Sequence, residues 1–119
     1  MTSNIRHLAI NADDLAASAR FYRHVFDWQF APYRQADFMR ASVGEMLVAL
    51  QQRRPVGDLT VTGLEATVAV PDVLAAATTA VAHGGRVLTE PTTITGVGDL
   101  VFLEDPGGNV IAAMNYASP

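Results

Sequence analysis

Shifted along itself by 58 positions, the chain of 119 residues repeats its own plan. His7-Leu8-Ala9-Ile10-Asn11-Ala12-Asp13-Asp14-Leu15 then lies over Glu65-Ala66-Thr67-Val68-Ala69-Val70-Pro71-Asp72-Val73. Each copy is an alternating apolar segment, then an Asp, then an Ala-rich stretch of helical character. Identities are few (Asp14 with Asp72, Ala17 with Ala75, Ala19 with Ala77), so what recurs is the order of elements. The shift is close to half the length, which points to an internal duplication and to a fold built from two similar units.

Periodicity places the elements. Residues 5–11 alternate as a strand, and Asp13 or Asp14 caps a helix to about Phe26, with Leu15, Ala19, Tyr22 and Phe26 on one face. Strands follow near residues 29–33, 37–42 and 46–51, with Val43-Gly44-Glu45 as a tight turn. Arg53 to Asp58 carries the breakers of a linker, in which Arg53-Arg54 reads as solvated charge. The second half repeats the order: a strand at 64–70, a helix from Asp72 to about His83 closed by Gly84-Gly85, and strands near 86–93, 99–104 and 109–115. The turn Asp105-Pro106-Gly107-Gly108 joins the last two. The expectation is one α+β domain over residues 1–119, with βαβββ modules at about 1–54 and 63–119 and a linker at 55–62. Phe21, Tyr22, Val25, Phe26 and Trp28 are expected in the helix-to-sheet core, and His24 and His83 at helix ends.

Composition narrows the chemistry. Half of the residues are apolar and mean hydropathy is +0.19, which suffices for a core. There is no Cys, and all eight basic residues are Arg. Disulfides, thiolate nucleophiles and Cys-bound metals are excluded, as are Schiff-base, P-loop and general-base lysines. A net charge of −4 argues against nucleic acid as a partner. No apolar run approaches a membrane span and Met1 to Ile10 lack a signal peptide's layout, so no membrane is expected and the cytoplasm is the expected compartment.

Several segments together resemble the vicinal oxygen chelate superfamily, which includes glyoxalase I, bleomycin-resistance proteins and extradiol dioxygenases. They are the opening strand with His7, Phe21-Tyr22-Arg23-His24-Val25-Phe26-Asp27-Trp28, Val70-Pro71-Asp72-Val73, Gly84-Gly85-Arg86-Val87 and Glu104-Asp105-Pro106-Gly107-Gly108-Asn109-Val110-Ile111. The aromatic segment and Gly96-Val97-Gly98 most resemble a branch of short glyoxalase-like proteins. The resemblance implies two βαβββ modules forming curved mixed sheets around a cleft, and a homodimer. In metal-dependent members four inward side chains hold a divalent cation. The corresponding positions here are His7, about Ala49, Glu65 and Ala112. Alanine ligates nothing, and Gln51 is the one nearby oxygen donor, so no metal cofactor is expected.

Strand alternation puts Ile5, His7 and Ala9 on one face, and Glu65, Thr67 and Ala69 on one face, in each case opposite the uniformly apolar side. That mixed face has the makings of an apolar pocket with a few orienting groups. The candidate ligand-binding residues are His7, Arg40, Ala49, Gln51, Glu65, Thr67, Phe102 and Ala112, with His7 and Glu65 the best catalytic candidates. His7 and Glu65 are read as a hydrogen-bonded couple in contact with ligand. Arg40 is a cleft cation for an acidic ligand or a rim residue, and Tyr33 and Phe102 can wall an aromatic pocket. The leading functional reading is a protein that binds a small organic ligand in an apolar cleft. Two alternatives stay open: a small-molecule lyase, isomerase or other enzyme using His7 and Glu65 with or without a metal, and a regulatory module for a partner protein.

Overall fold

The structure, a computed structural model, describes residues 2–117. Strand β1 (Ile5–Ala12) leads into helix α1 (Leu15–Phe26), then β2 (Ala31–Tyr33), β3 (Gln35–Val43) and β4 (Met46–Gln52). The short β5 (Pro55–Val56) and β6 (Leu59–Thr60) form a hairpin of their own. The second half runs β7 (Leu64–Ala69), α2 (Val73–Ala82), β8 (Arg86–Val87), β9 (Thr92–Ile94), β10 (Gly98–Glu104) and β11 (Val110–Tyr116).

The fold is α+β, as expected, with the two units fused into one mixed sheet. Its strand order is β2-β3-β4-β1-β7-β11-β10-β8, with β9 also on β10. Both halves are wired alike. The first strand of each pairs parallel with its last (β1 with β4, β7 with β11), and that last strand pairs antiparallel with the one before it. The halves meet where β1 and β7 run antiparallel, with His7 opposite Thr67 and Ala9 opposite Glu65.

Both helices begin where an Asp supplies the missing acceptor. Asp14 Oδ1 accepts from the Ala17 N–H at 3.0 Å, and Asp72 Oδ1 from Leu74 and Ala75 at 3.0 and 3.2 Å. Helix α2 stops at Gly84, whose φ of +92° suits a residue without Cβ, and Gly85 N–H then reaches back to Ala80 O at 2.8 Å. No described helix is long and apolar enough to cross a membrane.

Alternation sorts the sheet's two faces. Ile10, Ala12, Val48 and Leu50 form one buried cluster packed by Leu15, Ala19 and Tyr22 of α1. Val101, Leu103 and Ala113, with Val73, form the other beneath α2. The opposite face is left for the site.

Three expectations change. Of the aromatic segment only Tyr22 and Trp28 pack against the core, stacked at 5.5 Å, while Phe21, Val25 and Phe26 are more than half exposed. The helix touches the sheet along the narrow stripe of Leu15, Ala19 and Tyr22, and Phe26, one turn further, leans only on the Tyr22 and Trp28 rings. The strand expected at 86–93 is two short ones, β8 and β9, because Pro91 between them cannot donate to a ladder. The breaker-rich linker folds as the β5–β6 hairpin, which buries Val56.

Candidate functional site

The sheet face turned away from the helices lines a cavity of about 490 Å³. Residues two or four apart on neighbouring strands supply its floor and walls: His7 and Ala9 from β1, Glu65 and Thr67 from β7, Leu47 and Gln51 from β4, Phe38 and Arg40 from β3. Leu100 and Phe102 of β10 and Met114 and Tyr116 of β11 close the far side. Tyr33, Arg34 and Gln35 at the β2–β3 turn, with Ile94 and Val97, form the rim. Most of this surface is hydrocarbon.

One polar network crosses the junction of the two halves. Both oxygens of Glu65 are engaged by Arg54, Nη1 to Oε2 at 2.8 Å and Nη2 to Oε1 at 2.9 Å, the bidentate fork that fits guanidinium to carboxylate. Asn11 Nδ2 donates to Glu65 Oε2 at 3.0 Å and to Gly63 O at 2.8 Å. The Asn11 Oδ1 in turn accepts from Gln51 Nε2 at 3.0 Å and Arg54 Nη1 at 3.1 Å. The Glu65 side chain is only 5% exposed, so its charge depends on these partners. Arg54 also lies over the Phe102 ring, 5.5 Å from its centre.

This arrangement corrects two expectations. Glu65 is not hydrogen-bonded to His7 among the described residues; it belongs to Arg54 and Asn11. Arg54 is not solvated linker charge but part of the cavity wall. Its neighbour Arg53 lies outside the cavity lining, pairing with Asp13 at 2.5 Å and donating to Thr62 O at 3.2 Å.

His7 is half-buried beside this network. Burial holds its imidazole below the ordinary value of 6.5; the Glu65 charge pulls it back up and Arg40 pushes it further down. The ring is therefore neutral at pH 7, with a nitrogen lone pair to offer. Arg40 stacks on Tyr33, its Cζ 3.7 Å from the ring centre, and Arg34 approaches the same ring at 5.2 Å. Arg34 holds a left-handed backbone, φ +67°, rare for a residue with a side chain.

Of the residues chosen from sequence, His7, Arg40, Gln51, Glu65, Thr67 and Phe102 all line this cavity. Ala49 and Ala112 do not; they are 0% and 2% exposed, small enough to be sealed between neighbouring strands. Sequence reasoning missed Asn11, Arg34 and Arg54. Asn11 was within reach, since it continues the alternation of His7 and Ala9.

The donor set for a cation at the superfamily's position is thin. Two of its four places are methyl groups, and Glu65 has both oxygens committed. Among the described residues no three His, Asp or Glu side chains gather as metal ligands. These residues do not fit a divalent ion.

Residues 4–113 match the Glyoxalase/Bleomycin resistance protein/Dioxygenase superfamily. No curated protein matches in sequence. Among solved structures, a hypothetical protein from Bacillus halodurans C-125 superposes with a TM-score of 0.75 at 12% identity, over 100% of this chain and 98% of that one. A methylmalonyl-CoA epimerase from Mycobacterium tuberculosis gives 0.66 at 16% identity, over 96% and 88%. A Streptomyces coelicolor methylmalonyl-CoA epimerase gives 0.61 at 22% identity, over 100% of both. At such identities these likenesses concern the fold alone.

Proposed function

The chain belongs to the glyoxalase/bleomycin resistance protein/dioxygenase superfamily, and on that premise we propose that it holds a small organic ligand in the cleft without a resident divalent ion. The observation that carries this reading is the commitment of Glu65. In a metal-binding cleft its carboxylate would face the ion; here a guanidinium occupies both oxygens. The cavity is of the size that ligand sites take, mostly apolar with a few convergent polar groups.

A thermal-shift screen of organic compounds, followed by mass spectrometry of each hit before and after incubation, tests this. Compounds that stabilise the protein and are recovered unchanged support it, since binding to the folded state alone raises apparent stability. Elemental analysis of purified protein should find less than about a tenth of an equivalent of any transition metal, with no thermal shift on adding nickel, zinc or manganese. A stoichiometric ion overturns the metal-free part.

One observation favours a second reading, enzymatic acid–base work. His7 is the cavity's neutral imidazole, unoccupied by any hydrogen bond among the described residues, and a base needs that state. On this reading His7→Ala abolishes conversion of a bound compound while leaving its affinity within about twofold.

We further propose that the protein works as a homodimer. Phe21, Val25 and Phe26 present apolar surface on α1, and β2 and β8 are open sheet edges. Light scattering that returns the 12.7 kDa monomer mass at micromolar concentration overturns this.

A further inference from the structure

The charges that face the cavity are unequal. Arg34, Arg40 and Arg54 line it against a single carboxylate, Glu65, in a chain whose net charge is −4. Arg54 and Glu65 cancel one another through their fork. His7 adds no positive charge at neutral pH, because burial disfavours its protonated form. What remains is Arg40 and Arg34, and among the described residues neither forms a salt bridge.

These two cations share one aromatic neighbour. Both lie within cation–π range of the Tyr33 ring, at 3.7 and 5.2 Å from its centre, and both line the cavity. Arg40 sits over that ring, its Cζ 3.7 Å from the centre, and is half-buried. Stacking uses the face of a guanidinium and leaves its N–H edge free to donate to an oxyanion. Arg34 reaches the ring from a left-handed backbone position that glycine would occupy without strain. An arginine kept in such a conformation, in the same cavity as a second arginine without a salt bridge, leaves positive charge there for an anion to meet. Behind it the wall is apolar: Leu47, Leu100, Phe102 and Met114.

Resting on the small-molecule reading above, we infer that the cleft selects a monoanionic organic oxyanion, a carboxylate or sulfonate. Its head group lies on the N–H edges of Arg40 and Arg34, and its apolar body runs inward toward Phe102 and Met114. The ligand thus offsets part of the surplus charge at the mouth and buries hydrocarbon on the wall. Arg54 stays with Glu65 and takes no part in holding the head group.

A matched pair of fluorescent probes tests this on the intact chain. 8-Anilinonaphthalene-1-sulfonate carries the anion, and N-phenyl-1-naphthylamine has the same aromatic body without it. The sulfonate should bind more tightly than the neutral amine, by about tenfold or more. Arg40→Gln and the more exposed Arg34→Gln should each weaken the sulfonate several-fold and leave the amine unchanged; the exposed Arg34 keeps the test open if Arg40→Gln fails to fold. Arg23→Gln on α1, an equal charge change away from the cavity, should leave both probes unaffected. In competition, 1-naphthoate should displace the sulfonate and 1-naphthamide should not. Equal binding of the two probes, or sulfonate binding insensitive to both arginine variants, overturns the anion selectivity and leaves the small-molecule reading standing. No binding of either probe and none of 1-naphthoate, with no hit in the wider compound screen, overturns both.

Discussion

Arg54 and Glu65 show how a site residue can escape sequence reading while its partner does not. Glu65 falls on the mixed face of β7 by simple alternation, and so does Asn11 on β1. Alternation along β4 gives Leu47, Ala49 and Gln51, and would assign Arg53 to the cleft ahead of Arg54. The strand ends at Gln52, the last ladder bond runs from Arg53 N–H to Ala12 O at 3.0 Å, and beyond it Arg54 rather than Arg53 lines the cavity. A nearly buried carboxylate left without its arginine is strongly destabilising, whereas an apolar pair of similar size is tolerated. Because Arg54 is one-third exposed, Arg54→Met should lie toward the low end, roughly 3 kcal/mol by urea denaturation. Arg54→Met combined with Glu65→Leu should recover most of that loss, and a double variant no better than the single one would mean the pair is not the determinant. His7 supplies a second test. Its folded pKa lies below 6.5, so as pH falls the unfolded chain takes the proton first. The stability tied to its neutral ring is complete above about pH 6.5 and is lost as pH drops through the folded value. Wild-type stability relative to His7→Gln should therefore decline as pH falls below about 6.5, and a constant difference would refute the burial argument.

At the scale of elements, what was legible is what local chemistry fixes. The caps Asp14 and Asp72, the stop at Gly84, and the turn in which Asp105 Oδ1 accepts from Gly107 and Asn109 at 2.9 Å are written in short-range patterns. Elements set by distant contacts were not legible. The β5–β6 hairpin has strands of two residues, too short for any periodic pattern to show. The exposed side of α1 also depends on how narrow a stripe the sheet offers. Gly98 shows the same dependence. It lies in β10 with φ +150°, and a Cβ there would come within 2.2 Å of Asn115 O. That close approach joins β10 to the end of β11, where Tyr116 lines the cavity. Gly98→Ala should cost about 2–4 kcal/mol, whereas Asp72→Ala, which removes two cap bonds on an exposed helix end, should cost about 1 kcal/mol. Thermal melts should rank them in that order; the reverse would show that the β10–β11 junction yields easily.

For the whole molecule, the sum of charges conceals their placement. A net charge of −4 argues against a polyanion partner, yet it says nothing of a cavity whose lining holds three arginines and one carboxylate. The fold makes that difference: arginines from the β2–β3 hairpin and from the segment after β4 line one cavity because the curved sheet brings β3 and β4 beside β1. The body is open as well, 43 × 33 × 24 Å with a radius of gyration of 14.6 Å, against about 13.5 Å for a compact domain of this length. Arg34 is exposed and Arg40 half-buried, so both are within reach of salt, and the apolar wall is indifferent to it. Raising the ionic strength from about 20 mM to about 500 mM should therefore weaken binding of the anilinonaphthalene sulfonate several-fold while leaving the neutral naphthylamine unchanged or slightly tighter. The Arg40→Gln protein should show a flatter salt dependence than the wild type. If the sulfonate binds equally well at both ionic strengths, the hydrocarbon wall alone holds it, and the arginines at the mouth serve only the rim.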